Sequence, residues 1–144
     1  MLSEIILIKE TPMIKERQTK QKAVILSAVQ NTKTHPTAEQ VYDLIRGELP
    51  NVSLGTVYRN LNKMAEDGLI RRISVMNSPD KFDGDLTPHH HISCTSCGKF
   101  CDFFDAEYNE SLDRLIEAKT RFRIVRHETV FYGECPDCKL IKLN

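Results

Sequence analysis

Two Cys-x-x-Cys pairs constrain the fold of this chain more than any other feature of its sequence. The pairs are Cys94 with Cys97 and Cys135 with Cys138, and 37 residues separate them. Each pair presents two thiolates to one ion, and two pairs complete a tetrahedral Zn2+ shell that has no open position. Such a closed shell stabilises a fold but does not activate water. The sequence therefore predicts a structural zinc site built from two distant parts of the chain.

Other roles for the cysteines fit the sequence less well. Scattered core cysteines would rarely share this spacing. A thioredoxin-like redox pair would open a helix after a strand in a βαβ unit, which neither pair does. Cys101 remains outside both pairs, in strand-like sequence between Phe100 and Asp102. We expect Cys101 to be a small buried residue.

Composition indicates one medium-sized globular domain or two small ones. The 144 residues are 40% hydrophobic and 28% charged, and their formal net charge is zero. No apolar run approaches the ~20 residues that a membrane span needs, and we see no secretory leader. Five cysteines in such a chain favour metal thiolates in a reducing cytoplasm over disulfides. We therefore expect a cytoplasmic protein, in which residues 1–12 form an extension without an assigned function.

Residues 1–84 predict a winged helix-turn-helix domain. Three short helices come first, each with a Ser or Thr as its N-cap, and glycines follow the second and third helices. The predicted caps are Thr19, Thr37 and Ser53, and the predicted stops are Gly47 and Gly68. Residues 69–76 and 81–83 are strand-like on either side of a turn, and residues 84–88 form a linker. Three helices followed by a β-hairpin are typical of a winged helix.

Residues 85–144 predict a smaller α/β domain. Strand-like residues 91–94 and 99–104 flank the first cysteine pair, and residues 122–132 supply further strand before the second pair. Between them, residues 106–120 form a helix with Tyr108, Leu112, Leu115 and Ile116 on one face. The fold class is therefore α+β, with an N-terminal winged helix-turn-helix domain and a C-terminal α/β domain that carries the four-cysteine zinc site.

The outer face of the third predicted helix offers side chains suited to a DNA groove. Residues 15–72 carry 10 basic against 6 acidic side chains, and Arg, Tyr, Thr and Lys can read bases or hold phosphates. The candidate DNA-binding residues are Lys15, Arg17, Lys20, Thr56, Tyr58, Arg59, Asn60 and Lys63. An ordinary amphipathic helix with a polar outer face remains the alternative, and the following wing favours groove reading.

A second polar cluster lies outside the cysteines. On a strand, His89 and His91 point to one side and His90 to the other. With carboxylates at Asp83 and Asp102 they make a mixed nitrogen and oxygen set, which suits Fe2+ or Mn2+ better than thiolate-loving ions. The clustering favours a metal site over ordinary surface histidines.

The chain resembles the ferric uptake regulator (Fur) family across about residues 15–140. The matching stretches are residues 35–38 (HPTA), 53–61 (SLGTVYRNL), 89–99 (HHHISCTSCGK) and 132–138 (YGECPDC). The resemblance implies a homodimeric, metal-dependent transcriptional repressor that binds operator DNA and is not an enzyme. It also implies that the C-terminal domain is a dimerisation domain.

Within the family the chain is most similar to the peroxide-stress regulator (PerR) branch. By position, that branch implies a regulatory Fe2+ or Mn2+ bound by His35, Asp83, His89, His91 and Asp102. Iron-uptake members tend to have glutamate where Asp102 stands, which favours the peroxide branch. The resemblance further implies that peroxide oxidises a ligand imidazole, His35 or His89, of the iron-loaded protein and so releases DNA.

Several alternatives stay open at this point. An iron- or zinc-uptake repressor of the same family would use the same ligands to report metal concentration. A zinc hydrolase or deaminase is less consistent with the sequence, because the predicted thiolate shell has no open position and the His-x-Glu of zinc deaminases is absent. A zinc-knuckle module that binds protein is a third option. The chain departs from the family pattern in two places. The wing has Lys81 where the family usually has an arginine. Pro88 and His90 replace two ligands of a second exchangeable site that many iron-uptake members carry, so such a site near His127 and Glu107 or Glu110 stays open.

Overall fold

The computed structural model describes residues 12–104 and 106–142, which form five helices and five strands. The helices are α1 (Pro12–Asn31), α2 (Ala38–Ile45), α3 (Leu54–Glu66), α4 (Glu110–Thr120) and α5 (Pro136–Lys142). The strands are β1 (Arg71–Ile73), β2 (Lys81–Asp83), β3 (His90–Cys94), β4 (Phe100–Phe103) and β5 (Val130–Gly133). None of the helices in these ranges is long and apolar enough to cross a membrane.

The first three helices and the hairpin of β1 and β2 form one lobe, which we call the winged lobe. Its core combines buried side chains from all three helices, such as Ile25, Val41 and Leu61. Phe82 of β2 is only 1% exposed and packs into the same core. β1 and β2 are antiparallel, with Arg71 opposite Asp83. Because Phe82 anchors the hairpin in the helical core, the next residue, Asp83, is held at a fixed place.

Local signals set the boundaries of α2 and α3 as predicted. Thr37 and Gln40 form a reciprocal capping box, in which the Gln40 amide donates to Thr37 Oγ1 over 3.3 Å. Ser53 Oγ accepts from the Thr56 amide over 3.1 Å at the start of α3. Gly68 follows α3 with a φ of +75°, a conformation that glycine adopts without strain. α2 ends at Ile45, two residues before Gly47.

Two predicted helix starts were wrong. α1 begins at Pro12, not after Thr19, and Thr19 lies inside it with its hydroxyl donating to the Lys15 carbonyl over 2.9 Å. A threonine hydroxyl within a helix commonly bonds back four residues. The predicted extension, residues 1–12, lies outside the described residues except for Pro12. α4 begins at Glu110, not at residue 106, because Asn109 caps it by accepting from the Leu112 amide.

A three-stranded sheet in the order β4-β3-β5, with α4 and α5, forms what we call the second lobe. β3 pairs antiparallel with β4 and parallel with β5. β5 is shorter than the predicted strand over residues 122–132, and Phe122 and Val125 ahead of it are 72% and 89% exposed. Residues 122–129 carry the apolar pattern, but within the described residues no strand pairs with them. Whether residue 84 divides two independent domains stays a prediction.

Cys101 is exposed, so its predicted burial was wrong. It lies on β4 opposite Ile92 of β3, which is itself 41% exposed. Both side chains lie on the sheet face away from His91 and Asp102, because residues alternate along a strand. Cys101, Ile92 and Phe103 on that face are all exposed, so strand position did not translate into burial.

Candidate metal centres

The loop between α1 and α2 places His35 beside the second lobe. His35 has a φ of +55°, and its Nδ1 lies 3.1 Å from the Lys33 carbonyl. The Phe82 amide donates to the Pro36 carbonyl over 2.9 Å, which ties this loop to β2. A left-handed conformation at a non-glycine residue is strained and persists only where surrounding contacts hold it. Those contacts leave Nε2 of His35, a buried residue, directed toward Asp83 and Asp102.

His89, which directly precedes β3, and His91 of β3 direct their side chains to the same side. Nε2 of His89 lies 2.9 Å, and Nε2 of His91 3.1 Å, from Oδ2 of Asp83. His89 Nδ1 is 2.7 Å from the Thr87 carbonyl, an arrangement in which Nδ1 donates and Nε2 keeps a free lone pair. His90 points to the other side, where its Nε2 lies 3.4 Å from the Glu107 carbonyl.

The two carboxylates come from different elements. Asp83 ends β2, and its Oδ1 accepts from the Asp85 amide over 2.8 Å, which leaves Oδ2 for other partners. Asp102 lies on β4 directly opposite His91 in the antiparallel pair. Its Oδ1 is 2.8 Å from Nε2 of His35 and 3.3 Å from Nε2 of both His89 and His91.

One donor atom from each of these five residues lies within 4.8 Å of every other. The set, which we call the five-residue centre, is His35, Asp83, His89, His91 and Asp102. Its imidazole-to-carboxylate separations of 2.8 to 3.3 Å match adjacent ligands of one ion, which lie about 3 Å apart for bonds of about 2.1 Å. The structure thus brings together all five residues that the resemblance implied, from both lobes.

The buried atoms of the centre fit a divalent cation better than hydrogen bonds among themselves. Nε2 of His35, Nε2 of His89 and Oδ1 of Asp102 are buried without a hydrogen-bond partner of proper geometry, although their separations are short. Buried polar atoms without partners are costly. A cation would satisfy lone pairs on imidazole nitrogen and carboxylate oxygen together, and this hard and borderline donor set suits Fe2+ or Mn2+.

The pKa shifts of His35 and Asp83 also indicate a site for positive charge. Burial alone would lower the pKa of His35, but Asp83 and Asp102 raise it above its usual value of 6.5. Burial would raise the pKa of Asp83, but hydrogen bonds from His35, His91 and the Asp85 amide hold it far below its usual range. A permanently ionised carboxylate facing imidazole nitrogens is a site that attracts positive charge, from protons or from a metal.

Two phenylalanines that sequence reasoning missed pack on the ligand imidazoles. Phe100 stacks on His91 with ring centroids 5.2 Å apart and meets His35 edge-on at 5.4 Å. Phe104 stacks on His89 at 4.6 Å. Alternation along β4 would have placed Phe100 on the Asp102 side of the strand, but its contact with His35 depends on how the lobes meet.

The four paired cysteines form a second cluster at the far end of the sheet. Donor sulfurs of Cys94, Cys97, Cys135 and Cys138 all lie within 4.8 Å of one another, and none is in a disulfide. Sγ of Cys97 and Sγ of Cys135 are 3.7 Å apart, close to the edge of a tetrahedron with Zn–S bonds of about 2.3 Å. Cys94 ends β3, Cys135 lies between β5 and α5, and Cys138 lies in α5, so an ion here would join the ends of β3 and β5.

Thiol protonation also indicates a cation at this cluster. Amides of Cys135 and Cys97 lie 3.3 and 3.5 Å from Sγ of Cys94 and lower the pKa of Cys94 to about 6. The neighbouring sulfur of Cys135, followed by that of Cys97, raises the pKa of Cys138 to about 12. Four thiolates this close repel one another unless a metal ion balances their charge, and Zn2+ suits four sulfur ligands.

Comparison with known proteins identifies the family. The family model for the ferric uptake regulator family matches residues 14–132. This chain belongs to the Fur family. The peroxide-responsive repressor PerR of Staphylococcus aureus (strain USA300) is 34% identical over 123 residues, which are 85% of this chain and 82% of that protein.

Solved structures of Fur-family proteins share the fold. The peroxide stress regulator of Campylobacter jejuni superposes with a TM-score of 0.73 and 30% identity, covering 88% of this chain and 96% of that one. The Helicobacter pylori ferric uptake regulator, described with three functional metal-binding sites, superposes with a TM-score of 0.72 and 26% identity over 88% of each chain. As a Fur-family protein, this chain is a metal-responsive transcriptional repressor and not an enzyme.

The candidate DNA-binding residues of this Fur-family chain largely share one cleft. The cleft lies between the start of α1 and the outer face of α3 and is lined by Lys15, Arg17, Lys22, Thr56, Arg59, Asn60 and Lys63. Lys20 lines an adjoining depression with Lys15, and Tyr58 is 40% exposed outside the cleft. Lys63 pairs with Asp67 over 2.9 Å, and Lys81 of the wing lies with its ammonium 5.4 Å from the Phe100 ring centroid.

A third cluster of metal ligands is not assembled among the described residues. His127 instead forms a local unit with Asp113 and Tyr108. Its Nδ1 lies 2.6 Å from Oδ1 of Asp113, its ring stacks on Tyr108 at 4.3 Å, and the Tyr108 hydroxyl donates to Asp113. His90 contacts the Glu107 carbonyl instead of this unit.

Proposed function

We propose that this chain represses transcription as a homodimer on operator DNA while Fe2+ or Mn2+ occupies the five-residue centre, and that hydrogen peroxide ends repression by oxidising a ligand histidine. One observation carries the proposal: His35 of the winged lobe lies 2.8 Å from Asp102 of the second lobe. An ion held by both residues joins the lobe that reads DNA to the lobe that we assign to dimerisation.

The bridging centre supports regulation through lobe arrangement. His35 belongs to the winged lobe, Asp83 lies at the hinge, and His89, His91 and Asp102 belong to the second lobe. A ligand shifts a conformational equilibrium only by its differential affinity for the two states. Moving DNA binding from mostly off to mostly on needs about 5 kcal/mol. Five protein ligands that converge only when the lobes meet can supply such a difference.

The proposed operator surface is the cleft between α1 and α3. Lys15, Arg17 and Arg59 offer positive charge for phosphates and guanine, and Thr56 and Asn60 offer hydrogen bonds. Tyr58 stands exposed beside the cleft and can pack on a thymine methyl group. Two copies of such a lobe, held at a fixed distance, match two half-sites of an operator.

An uncovered apolar helix face supports the homodimer. Leu112, Leu115 and Ile116 of α4 are 43%, 49% and 39% exposed in the single chain. No residue of α4 is buried, although its apolar side chains share one face. Exposed apolar faces of this kind commonly mark an interface, and a second copy of the same face is the simplest cover. Fur-family regulators are dimers that bind operator DNA.

Peroxide sensing is the finer part of the proposal and rests on the similarity to peroxide-responsive relatives. A bound Fe2+ would promote cleavage of the peroxide O–O bond without a net change in its own oxidation state, whereas a bound Mn2+ would not. An imidazole C–H of His35 or His89 would become C–OH, so that the ring gains one oxygen atom, and the other oxygen of peroxide would leave as water. The altered ring no longer holds its place among the five ligands, and the winged lobe is released.

Gel shifts test the function as a whole. Protein loaded with Fe2+ or Mn2+ is expected to retain operator DNA, and mild peroxide is expected to release DNA only from the iron-loaded sample. Release by chelation but not by peroxide would instead identify a metal-uptake repressor. Unchanged DNA binding after Tyr58→Ala with Arg59→Ala would contradict the assignment of the operator surface.

Peptide mass spectrometry tests the oxidation step. After peroxide treatment of iron-loaded protein, a peptide containing His35 or His89 is expected to gain one oxygen atom, and the manganese-loaded sample is the control. His127, which lies outside the five-residue centre, serves as an internal control and is expected to stay unmodified. Oxidation confined to cysteines would contradict this step.

A further inference from the structure

We propose that Phe100 is a positioning residue that holds the two lobes around the five-residue centre before any ion binds. Its ring touches an imidazole from each lobe: it stacks on His91 of its own sheet and meets His35 of the winged lobe edge-on. The inference rests on the regulatory metal site of the proposed function, but not on its reaction with peroxide.

The contacts of Phe100 across the lobe boundary involve two parts of the winged lobe. One is His35 in the loop between α1 and α2, with ring centroids 5.4 Å apart at an interplanar angle of 60°. The other is Lys81 of β2, whose ammonium lies 5.4 Å from the Phe100 centroid. Edge-on aromatic pairs and a cation over a ring are both attractive at these distances. Phe100 therefore contacts β2 and the His35 loop together.

Within the second lobe, Phe100 packs against His91, which is the candidate ligand that it orients. Its ring and that of His91 are 5.2 Å apart and nearly parallel, at 20°. Phe100 and Asp102 are two residues apart on β4, so both side chains lie on the same face of the strand. The ring thus orients His91 and fills the space beside Asp102.

These contacts do not need a metal ion, unlike the convergence of the donors themselves. Asp83 and Asp102 carry like charges, which oppose their approach to each other in a buried site. Apolar and aromatic contacts do not depend on that charge balance. A ring that binds both lobes therefore lowers the entropic cost of gathering the ligands when metal arrives.

Manganese affinity is the first test, measured by the electron paramagnetic resonance signal of free Mn2+ in zinc-loaded protein. Phe100→Leu keeps an apolar side chain but loses the ring, and its Mn2+ Kd is expected to rise about three- to tenfold. Phe100→Tyr keeps the ring and is expected to stay near the unmodified protein. Phe103→Leu is the matched control, because Phe103 lies on the same strand with its side chain on the opposite face. Zinc content is expected to be unchanged in all variants.

Hydrogen exchange of the metal-free, zinc-loaded protein is the second test. The Met76 amide donates across the lobes to the Tyr132 hydroxyl over 3.0 Å, and the Asp85 amide donates to Asp83 within the hinge. Both amides are expected to exchange faster in Phe100→Leu and to be unchanged in Phe103→Leu.

The outcomes separate the two proposals. If the unmodified protein fails to bind Mn2+, the proposed function fails and the role of Phe100 falls with it. If the unmodified protein binds Mn2+ and Phe100→Leu binds it equally well, or if Phe103→Leu weakens binding as much, only the role of Phe100 is overturned. Unchanged exchange at Met76 and Asp85 in Phe100→Leu would overturn it as well.

Discussion

At the scale of single residues, hydrogen bonds to the side-chain atoms that face away from the five-residue centre set the chemistry of the atoms that face into it. Nδ1 of His35 and Nδ1 of His89 each face a backbone carbonyl, and Oδ1 of Asp83 accepts a backbone amide. Each of these contacts occupies one atom of the side chain and leaves the other free. Such contacts fix the tautomer and orientation of metal ligands. Three of the five residues of the centre are therefore oriented by backbone groups two residues away in the sequence.

Protonation of His35 makes manganese binding depend on pH. Asp83 and Asp102 raise the pKa of His35 above 6.5 despite its burial, so without metal His35 keeps its proton to higher pH than a free histidine does. That proton stabilises the metal-free fold fully below pH 6.5, and the contribution is lost as pH rises through the raised pKa. Metal must displace the proton, so Mn2+ affinity is expected to increase about tenfold per pH unit below that pKa and level off above it. Mn2+ titrations at several pH values check this, and a flat profile would contradict it.

Helices in this chain differ in how far the residues next to them in the sequence determine where they begin. The capping box at Thr37 and the cap at Ser53 gave the starts of α2 and α3, because the capping groups lie within three residues of each other. The same reasoning failed at Thr19, which has the right chemistry for a cap but lies inside α1. A cap residue works only where the chain leaves helical geometry, and nothing before Thr19 forces it to do so.

Two threonine variants measure that difference. Thr37→Ala removes one side of a capping box and is expected to lower the free energy of unfolding by about 1 kcal/mol. Thr19→Ala is the matched control. Thr19 is exposed within α1, where alanine is a better helix former, so its replacement is expected to change stability by less than about 0.5 kcal/mol. Urea unfolding of zinc-loaded protein, followed by circular dichroism, gives both values. Equal losses would show that Thr37 is no more a cap than Thr19.

At the scale of the whole molecule, the proposed function gives the two candidate ion sites different tasks. The four-cysteine cluster lies within the second lobe and joins the ends of β3 and β5, so it stabilises that lobe alone. The five-residue centre draws donor atoms from both lobes, so under the proposed function an ion bound there depends on how the lobes are arranged. Removal of zinc should therefore unfold part of the protein, whereas removal of the regulatory ion should rearrange it.

A pair of cysteine variants tests this division. Cys97→Ser is expected to abolish zinc retention and lower Tm by more than about 10 °C, since loss of a structural metal removes several kcal/mol of folding energy. Cys101→Ser is the control, because Cys101 is exposed and lies outside the cluster. It is expected to keep zinc and Tm unchanged. Metal analysis and thermal unfolding decide the matter, and zinc loss from Cys101→Ser would place that residue in the site.

The sequence by itself determined features whose partners are close along the chain or repeat a known spacing. The cysteine pairs, the caps of α2 and α3 and the shared direction of His89 and His91 all follow from geometry over two or three residues. The family pattern added which distant residues belong to one centre. These features needed no knowledge of how the lobes pack.

Only the tertiary structure decided what depends on packing between distant segments. Contact of Phe100 with His35, exposure of Cys101 and the short length of β5 were not predictable from neighbouring residues. Burial and strand pairing are set by whatever another part of the chain, or another chain, places alongside. Local propensity fixes what a segment can form, and long-range contacts fix which of its faces meets a partner.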